Sequence, residues 1–170
     1  MPEVVSKPVY LVDANSDPVV VRIEGRACFQ NSACLRDFIE ALVRQGKTRF
    51  VLDFQNCASM DSTFLGVLAG SALELKKASP PGSLVLARVG LRNLELIRNL
   101  GLPRLLIVDA GGTPLSFGKC DTALQCANHT ELENARLVLE AHEHLVAADE
   151  ANRARFQDVL AFLKNRVEQK

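Results

Sequence analysis

Residues 50–66 read Phe50-Val51-Leu52-Asp53-Phe54-Gln55-Asn56-Cys57-Ala58-Ser59-Met60-Asp61-Ser62-Thr63-Phe64-Leu65-Gly66. Phe50 to Phe54 has the aromatic and branched apolar character of a short strand. A loop through Met60 follows. Leu65, Leu68, Ala72 and Leu75 then fall at helical intervals, which predicts a helix from about Ser62 to Lys77 with one buried stripe. Lys76 and Lys77 stand at the end where cations suit the helix dipole, and Pro80-Pro81-Gly82 stops it.

The same alternation extends in both directions. Upstream, Pro8–Asp13 and Val19–Ile23 are apolar and rich in valine, separated by the turn-forming cluster Ala14-Asn15-Ser16-Asp17-Pro18, and read as an N-terminal hairpin. From Ser32 onward Leu35, Phe38, Ile39 and Leu42 mark a first helix, with Gly46 as its stop signal. Downstream, Leu84-Val85-Leu86-Ala87 is a strand, Leu91 to Asn99 a short helix closed by Gly101, and Leu105-Leu106-Ile107-Val108 a last strand. A hairpin pairs antiparallel while each helical crossover joins parallel strands, so these elements imply an α/β domain with a mixed sheet, ending near Asp109.

Past that point the pattern changes. Ala110 to Gly118 holds three glycines and a proline and reads as linker, and beyond Gly118 neither residue type recurs. Thr130-Glu131-Leu132-Glu133 has the spacing of a capping box, so a helix begins near Glu131. Leu132, Leu139, Val146, Leu160 and Val167 lie at multiples of seven, with Ala135, Phe156 and Leu163 at complementary heptad positions. Asp149 and Arg153 interrupt this seam. An unbroken helix of about 38 residues would reach nearly 60 Å and need a partner, as in a dimeric coiled coil. A bend near Asp149 would instead give an α-hairpin packed back on the domain. The chain thus divides into an α/β domain over residues 1–110, a linker over 111–129 and a C-terminal helical extension over 130–170.

The 170 residues carry 20 basic and 20 acidic side chains, with 24% charged and 48% hydrophobic residues. This is the composition of a folded globular protein, and zero net charge gives no basis for non-specific nucleic-acid binding. Neutrality is a cancellation: residues 1–115 are net +2 and residues 116–170 net −2. The longest nearly apolar stretch, Phe64 to Leu73, is too short to span a bilayer, and the N-terminus lacks a secretory pattern, so a cytoplasmic location without membrane insertion is expected. Cys28, Cys34, Cys57, Cys120 and Cys126 form an odd set without a CxxC pair, which reads neither as a disulfide framework nor as a zinc site. His142 and His144 are two apart and point in different directions on a helix, so no metal site is expected among them and His129.

On position alone, Asp61 or Ser62 is a helix N-cap. Asp61-Ser62-Thr63 followed by Leu65-Gly66 also resembles the Asp-Ser-Ser/Thr-Gly-Leu-Gly signature of the STAS domain, the family of anti-sigma factor antagonists and of the cytosolic domains of sulfate transporters. Val51-Leu52-Asp53-Phe54 and Leu100-Gly101-Leu102 add to the likeness, which covers roughly residues 8–110. It implies a STAS-like fold and a non-catalytic module in a partner-switching cascade of signal transduction and transcription regulation. In that family the serine after the aspartate is phosphorylated by a partner that is both serine kinase and anti-sigma factor, and a phosphatase reverses the modification. Here that residue is Ser62, with Thr63 as a second acceptor position or a helix-start residue.

The resemblance also places Asp61, Ser62, Thr63, Phe64 and Arg26 at the partner-binding face. Two of these depart from the pattern. Phe64 replaces the family's glycine and either fills a core gap or faces the partner. Gly25-Arg26-Ala27-Cys28 stands where an acidic Gly-Glu-Leu-Asp-like segment is common, a charge change that alters partner choice. The alternative is a constitutive STAS scaffold, or a subunit of a transporter or stressosome-like assembly. The C-terminal helix would serve self-association or cap the domain. For an enzyme, Ser62 would need a histidine base within hydrogen-bond reach, yet all three histidines lie in the C-terminal segment; Asp53 and Asp61 lack a metal-ligand set, and no phosphate-binding glycine loop or cofactor motif is present.

Overall fold

A computed structural model describes residues 9–109, 120, 122–126 and 128–168. The hairpin is present as β1 (Tyr10–Asp13) paired antiparallel with β2 (Val19–Ile23). Next come β3 (Gly25–Ala27), α1 (Phe29–Arg44), β4 (Arg49–Asp53), β5 (Cys57–Met60) and α2 (Ser62–Lys77). They are followed by β6 (Ser83–Ala87), α3 (Leu91–Asn99), a 3-10 turn over Leu102–Arg104 and β7 (Ile107–Asp109). The main sheet has the order β7-β6-β4-β2-β1 with β8 (Thr122–Ala123) at the far edge; β2, β4, β6 and β7 run parallel. This is the mixed sheet that a hairpin followed by βαβαβ dictates.

Two segments read as irregular are strands. The loop expected through Met60 contains β5, which pairs parallel with β3 in a separate two-stranded ribbon. The expected linker 111–129 contains β8, which pairs antiparallel with β1 through Leu11–Ala123 and Val12–Thr122; the stretch Ala110 to Gly118 itself lies outside the described residues. Both strands are too short and too polar to show a period of two.

The C-terminal segment is an α-hairpin, so the heptad register does not continue through it. α4 (Glu131–Ala148) starts at the capping box, where Thr130 Oγ1 accepts from Glu133 N and Glu133 Oε1 from Thr130 N. The backbone N–H and hydroxyl of Thr130, with His129, hold the Glu133 carboxyl below its ordinary pKa. α4 ends at Asp149, and α5 (Asn152–Glu168) returns beside it, with Arg166 Nη2 donating to Glu131 Oε2 at 2.9 Å. Asn152 ties the bend down: its side-chain amide is 2% exposed and donates to Leu145 O at 2.8 Å and Leu100 O at 2.9 Å. Of the heptad residues Leu132 is exposed while Ala135, Val146, Leu160 and Leu163 are buried, and Leu137, Ala141 and Leu145, outside the seam, are buried as well.

α4 lies against α2. That explains why α2 is buried on nearly all sides, from Thr63 through Gly70, where the sequence stripe predicts one buried face. Gly66 and Gly70, one turn apart, allow the approach: a Cβ on Gly66 would overlap the carbonyl of Ala141, and one on Gly70 the ring of His144. At the other end of the hairpin, Gly101 has a φ of 70° and leaves no room for a Cβ beside Asp149. A cleft of about 290 Å³ remains between α1, α2 and α4, bordered by Arg36, Glu40, Ser71, Glu74 and Glu140.

The cysteines require a correction. Cys34 on α1 and Cys126, ahead of α4, form a disulfide across 92 residues, against the expectation of no disulfide framework. Cys28, Cys57 and Cys120 remain thiols. Burial pushes the Cys57 thiol up to about 11, the bonds with Ser59 and Ala27 opposing the shift.

Candidate functional site

The site forms where β3 and β5 end side by side and hand over to α1 and α2. Ala27 pairs with Met60, so the first residues of both helices leave the ribbon together. Asp61 joins them: Oδ1 accepts from Phe64 N at 2.9 Å, capping α2, and Oδ2 accepts from Phe29 N at 2.7 Å, at the first turn of α1. One carboxylate therefore satisfies orphan donors of two helices and sits where both dipoles favour negative charge. Asn31 completes the junction, its Oδ1 accepting from Cys28 N at 3.0 Å and from the buried Tyr10 hydroxyl at 2.9 Å. Burial, with nearby Cys28, Cys57 and Asp61, holds the Tyr10 phenol well above its ordinary pKa.

Ser62, the first residue of α2, is half-buried. Its Oγ lies 2.9 Å from His142 Nε2 on α4. His142 Nδ1 is 2.7 Å from the carbonyl of Val138, which only accepts, so this nitrogen carries hydrogen. In the neutral ring Nε2 is then the acceptor and the Ser62 hydroxyl the donor. The imidazole is 4% exposed and packs edge-on against Phe156 of α5, ring centroids 4.8 Å apart. The fold thus brings Ser62 within reach of a histidine 80 residues away, which the sequence reading had placed apart. No carboxylate orients the ring, since its other nitrogen is taken by a backbone carbonyl.

The other candidate residues separate. Arg26 on β3 is exposed and its carbonyl accepts from Asn31 Nδ2 at 2.9 Å. Thr63 is 4% exposed and Phe64 fully buried, its ring at 73° to that of Phe54 with centroids 6.2 Å apart. Of the two roles open to Phe64, core packing is the one observed. Its side chain offers no surface to a partner in this arrangement, because α2 turns it inward over the sheet. Phe29, 43% exposed beside Asp61, was not singled out from the sequence. His142 was also missed, and only the capping box and the absence of helix breakers pointed to the helix that carries it. Among the described residues, no group of three or more His, Cys, Asp or Glu side chains is placed to hold a metal ion, and no helix is long and apolar enough to cross a membrane.

Asp61→Ala removes both caps while leaving Ser62 in place. A single cap contributes about 1 kcal/mol, so a loss of about 2 kcal/mol in urea unfolding is expected, with Asp61→Asn in between because its single carbonyl oxygen keeps one bond. An effect below about 0.5 kcal/mol would mean that the carboxylate does not join the two helices.

A family model described as "Mlab, STAS domain" matches residues 10–108. That span is more than half of the chain, which belongs to the STAS domain family. No curated protein matches it. Among solved structures, the anti-sigma factor antagonist SpoIIAA in its unphosphorylated form is similar at 19% identity and a TM-score of 0.49, over 59% of this chain and 86% of that one. The Bacillus cell fate determinant SpoIIAA in its phosphorylated form is similar at 20% identity and a TM-score of 0.49, over 59% and 90% of the two chains. The matched residues 10–108 end before α4.

Proposed function

We propose that this chain is a phospho-switchable protein-binding module of the anti-sigma factor antagonist type, with no catalysis of its own and Ser62 as its switch. The observation that supports this best is Ser62 at the first position of α2, directly after an aspartate whose two oxygens are already committed to helix N-termini. Asp61 positions the serine and leaves its hydroxyl as the group that can change. In the transfer, Ser62 Oγ bonds to the γ-phosphorus of ATP as the bond to the bridging oxygen of ADP breaks, and the hydroxyl proton passes to a base of the kinase. The phosphate brings about −1.5 to −2 charges to a site where helix N-termini tolerate them, so the α/β domain keeps its fold and the change falls on whatever docks over Ser62.

The partner on this reading is an anti-sigma factor that is also a serine kinase, bound when Ser62 is unmodified, with a cognate phosphatase restoring that state. The exposed Arg26 and the surroundings of Ser62 form the contact. An ATP-dependent kinase places the chain in the cytoplasm, where the Cys34–Cys126 bond, with Cys126 exposed, is open to reduction. The cognate kinase with ATP is expected to add one phosphate at Ser62 and none to Ser62→Ala, and Ser62→Asp is expected to weaken partner binding at least tenfold. No phosphate on the wild-type chain, with unchanged binding by Ser62→Asp, would refute the switch. A constitutive STAS scaffold, or a subunit of a transporter or stressosome-like assembly, is the second reading, favoured by the engagement of the Ser62 hydroxyl with His142. It predicts that Ser62→Ala and Ser62→Asp bind alike.

A further inference from the structure

We propose that α4 is the resident occupant of a helix-docking groove on α2, and that its seating excludes both a phosphoryl group on Ser62 and a partner at the Ser62 face. The proposal rests on reading Ser62 as the switch position, and supplies what that reading lacks, a control on access to it.

The groove is the outer face of α2. Ser62, Gly66 and Gly70 follow one another at intervals of four along it, and α4 lies so close that the Ala141 carbonyl fills the space a Cβ on Gly66 would need. Glycines alone would indicate nothing, but here the groove is filled. Leu137, Ala141 and Leu145 of α4 are buried, and His142 reaches down to the Ser62 hydroxyl.

While α4 is seated this contact obstructs modification. A tetrahedral phosphoryl group on Oγ would have to enter where an imidazole already stands at 2.9 Å. His142 is backed by Phe156, so the ring has no retreat within the closed hairpin. Sliding α4 is also obstructed, since Ala141 is set against Gly66, His144 against Gly70 and Asp149 against Gly101. Access to Ser62 therefore needs α4 to lift as a unit with α5, to which Asn152 and Phe156 couple it. By linkage, whatever factor the seated hairpin takes from the affinity of a partner, a bound partner takes from the seating of the hairpin.

The test uses the full chain and no kinase. Hydrogen exchange is followed by peptide for the wild type, Gly66→Leu, Ala141→Leu and Ser62→Glu. Each variant is expected to speed exchange in residues 131–148 at least tenfold, while β2, β4 and β6 keep their wild-type rates. Should Gly66→Leu disturb the sheet, Ala141→Leu sets the same bulk from the α4 side and leaves residues 10–108 unaltered. In a second arm, position 62 in Ser62→Cys is alkylated with iodoacetamide and its modification followed by peptide mass. Adding Ala141→Leu to that variant is expected to raise the rate at least tenfold. Unchanged α4 exchange in Ser62→Glu and Ala141→Leu, or equal alkylation with and without Ala141→Leu, would overturn the proposal. Release of α4 in these variants supports the cover even where no kinase modifies Ser62, whereas unchanged exchange and alkylation refute the cover and leave the switch standing.

Discussion

Reduction of the Cys34–Cys126 disulfide is expected to lower the free energy of unfolding by about 4–5 kcal/mol. The two cysteines are 92 residues apart, so the bond closes a loop that takes in every element from α1 to β8. In the chain-entropy account the stabilisation grows with the logarithm of loop length, and a loop this long lies near the upper end of the range. The bond also fastens the segment that leads into α4 onto α1, so the covering hairpin is tied to the domain from both sides, by Cys126 at its entrance and Asn152 at its bend. Urea unfolding with and without reductant measures the effect. Reduction should lower the midpoint and raise the slope, because the reduced unfolded chain exposes more surface. The Cys34→Ser, Cys126→Ser double variant should match the reduced protein. Thiol titration gives an independent check: three thiols in denaturant before reduction and five after it. In the native state Cys28 should react first, since Cys57 and Cys120 are buried and Cys57 is held up to about 11. Five thiols without reductant, or a midpoint that reduction leaves unmoved, would show that the bond does not form.

How much of this was legible in the sequence depends on how local the interactions are. The spacing of Leu65, Leu68, Ala72 and Leu75 marks α2 because one helix face meets the sheet, and both ends of that helix fall where read. The turn cluster before Val19 likewise marks the hairpin. Ser62 stands out because capping and the family signature coincide there. Contacts across long separations left no comparable trace. The disulfide partners are distant members of an odd set, and β8 is a strand only because β1 offers an edge. His142 shares the heptad register of Ala135 and Phe156, on a helix whose buried face is wider than that seam, so the spacing did not single it out. The second buried face of α2 did have a trace, Gly66 and Gly70 one turn apart within an all-round apolar stretch, but that pattern does not reveal which helix fills it. Phe64 was undecided for a related reason: the first turn of α2 can aim a side chain at the sheet or at solvent, and only the neighbouring Phe54 settles which.

The same sequence that marks Asp53 as one polar residue in an apolar strand leads to the second large effect. Asp53 ends β4 and is fully buried, with Arg22 beside it on β2 and Arg88 one residue past its β6 neighbour Ala87. Arg88 meets both carboxylate oxygens, its Nε donating to Oδ1 at 2.9 Å and its Nη2 to Oδ2, while Arg22 Nε stands 3.5 Å from Oδ2 and Gln55 N donates to Oδ1 at 3.1 Å. The Arg88 backbone has a φ of 55°, uncommon outside glycine, which turns the side chain back over the strand ends. Its hydrogen bonds to Asp53 hold the guanidinium above its ordinary pKa. Asp53→Ala deletes a fully buried carboxylate together with both Arg88 bonds and the one from Gln55 N. Hydrogen bonds to a charged group contribute about 1.5–3 kcal/mol, so a cost of about 3 kcal/mol is expected. Arg88→Ala should cost less, because Arg22 still faces the carboxylate and water reaches the Arg88 side chain, which is 38% exposed. Asp53→Asn keeps the bond from Gln55 and should fall between the wild type and Asp53→Ala. In a double-mutant cycle, Asp53→Ala with Arg88→Ala should be clearly less destabilising than the sum of the two, since each single change already breaks the shared bonds. Additive losses, or a cost for Asp53→Ala below about 1 kcal/mol, would refute the pairing as a clamp on the strand ends. The clamp bears on the site through β4 alone: the chain leaving Asp53 becomes β5 within four residues and delivers Ser62, so a loosened Asp53 should also release the β3–β5 ribbon, read as faster amide exchange at Cys57 to Met60 than in the body of β4.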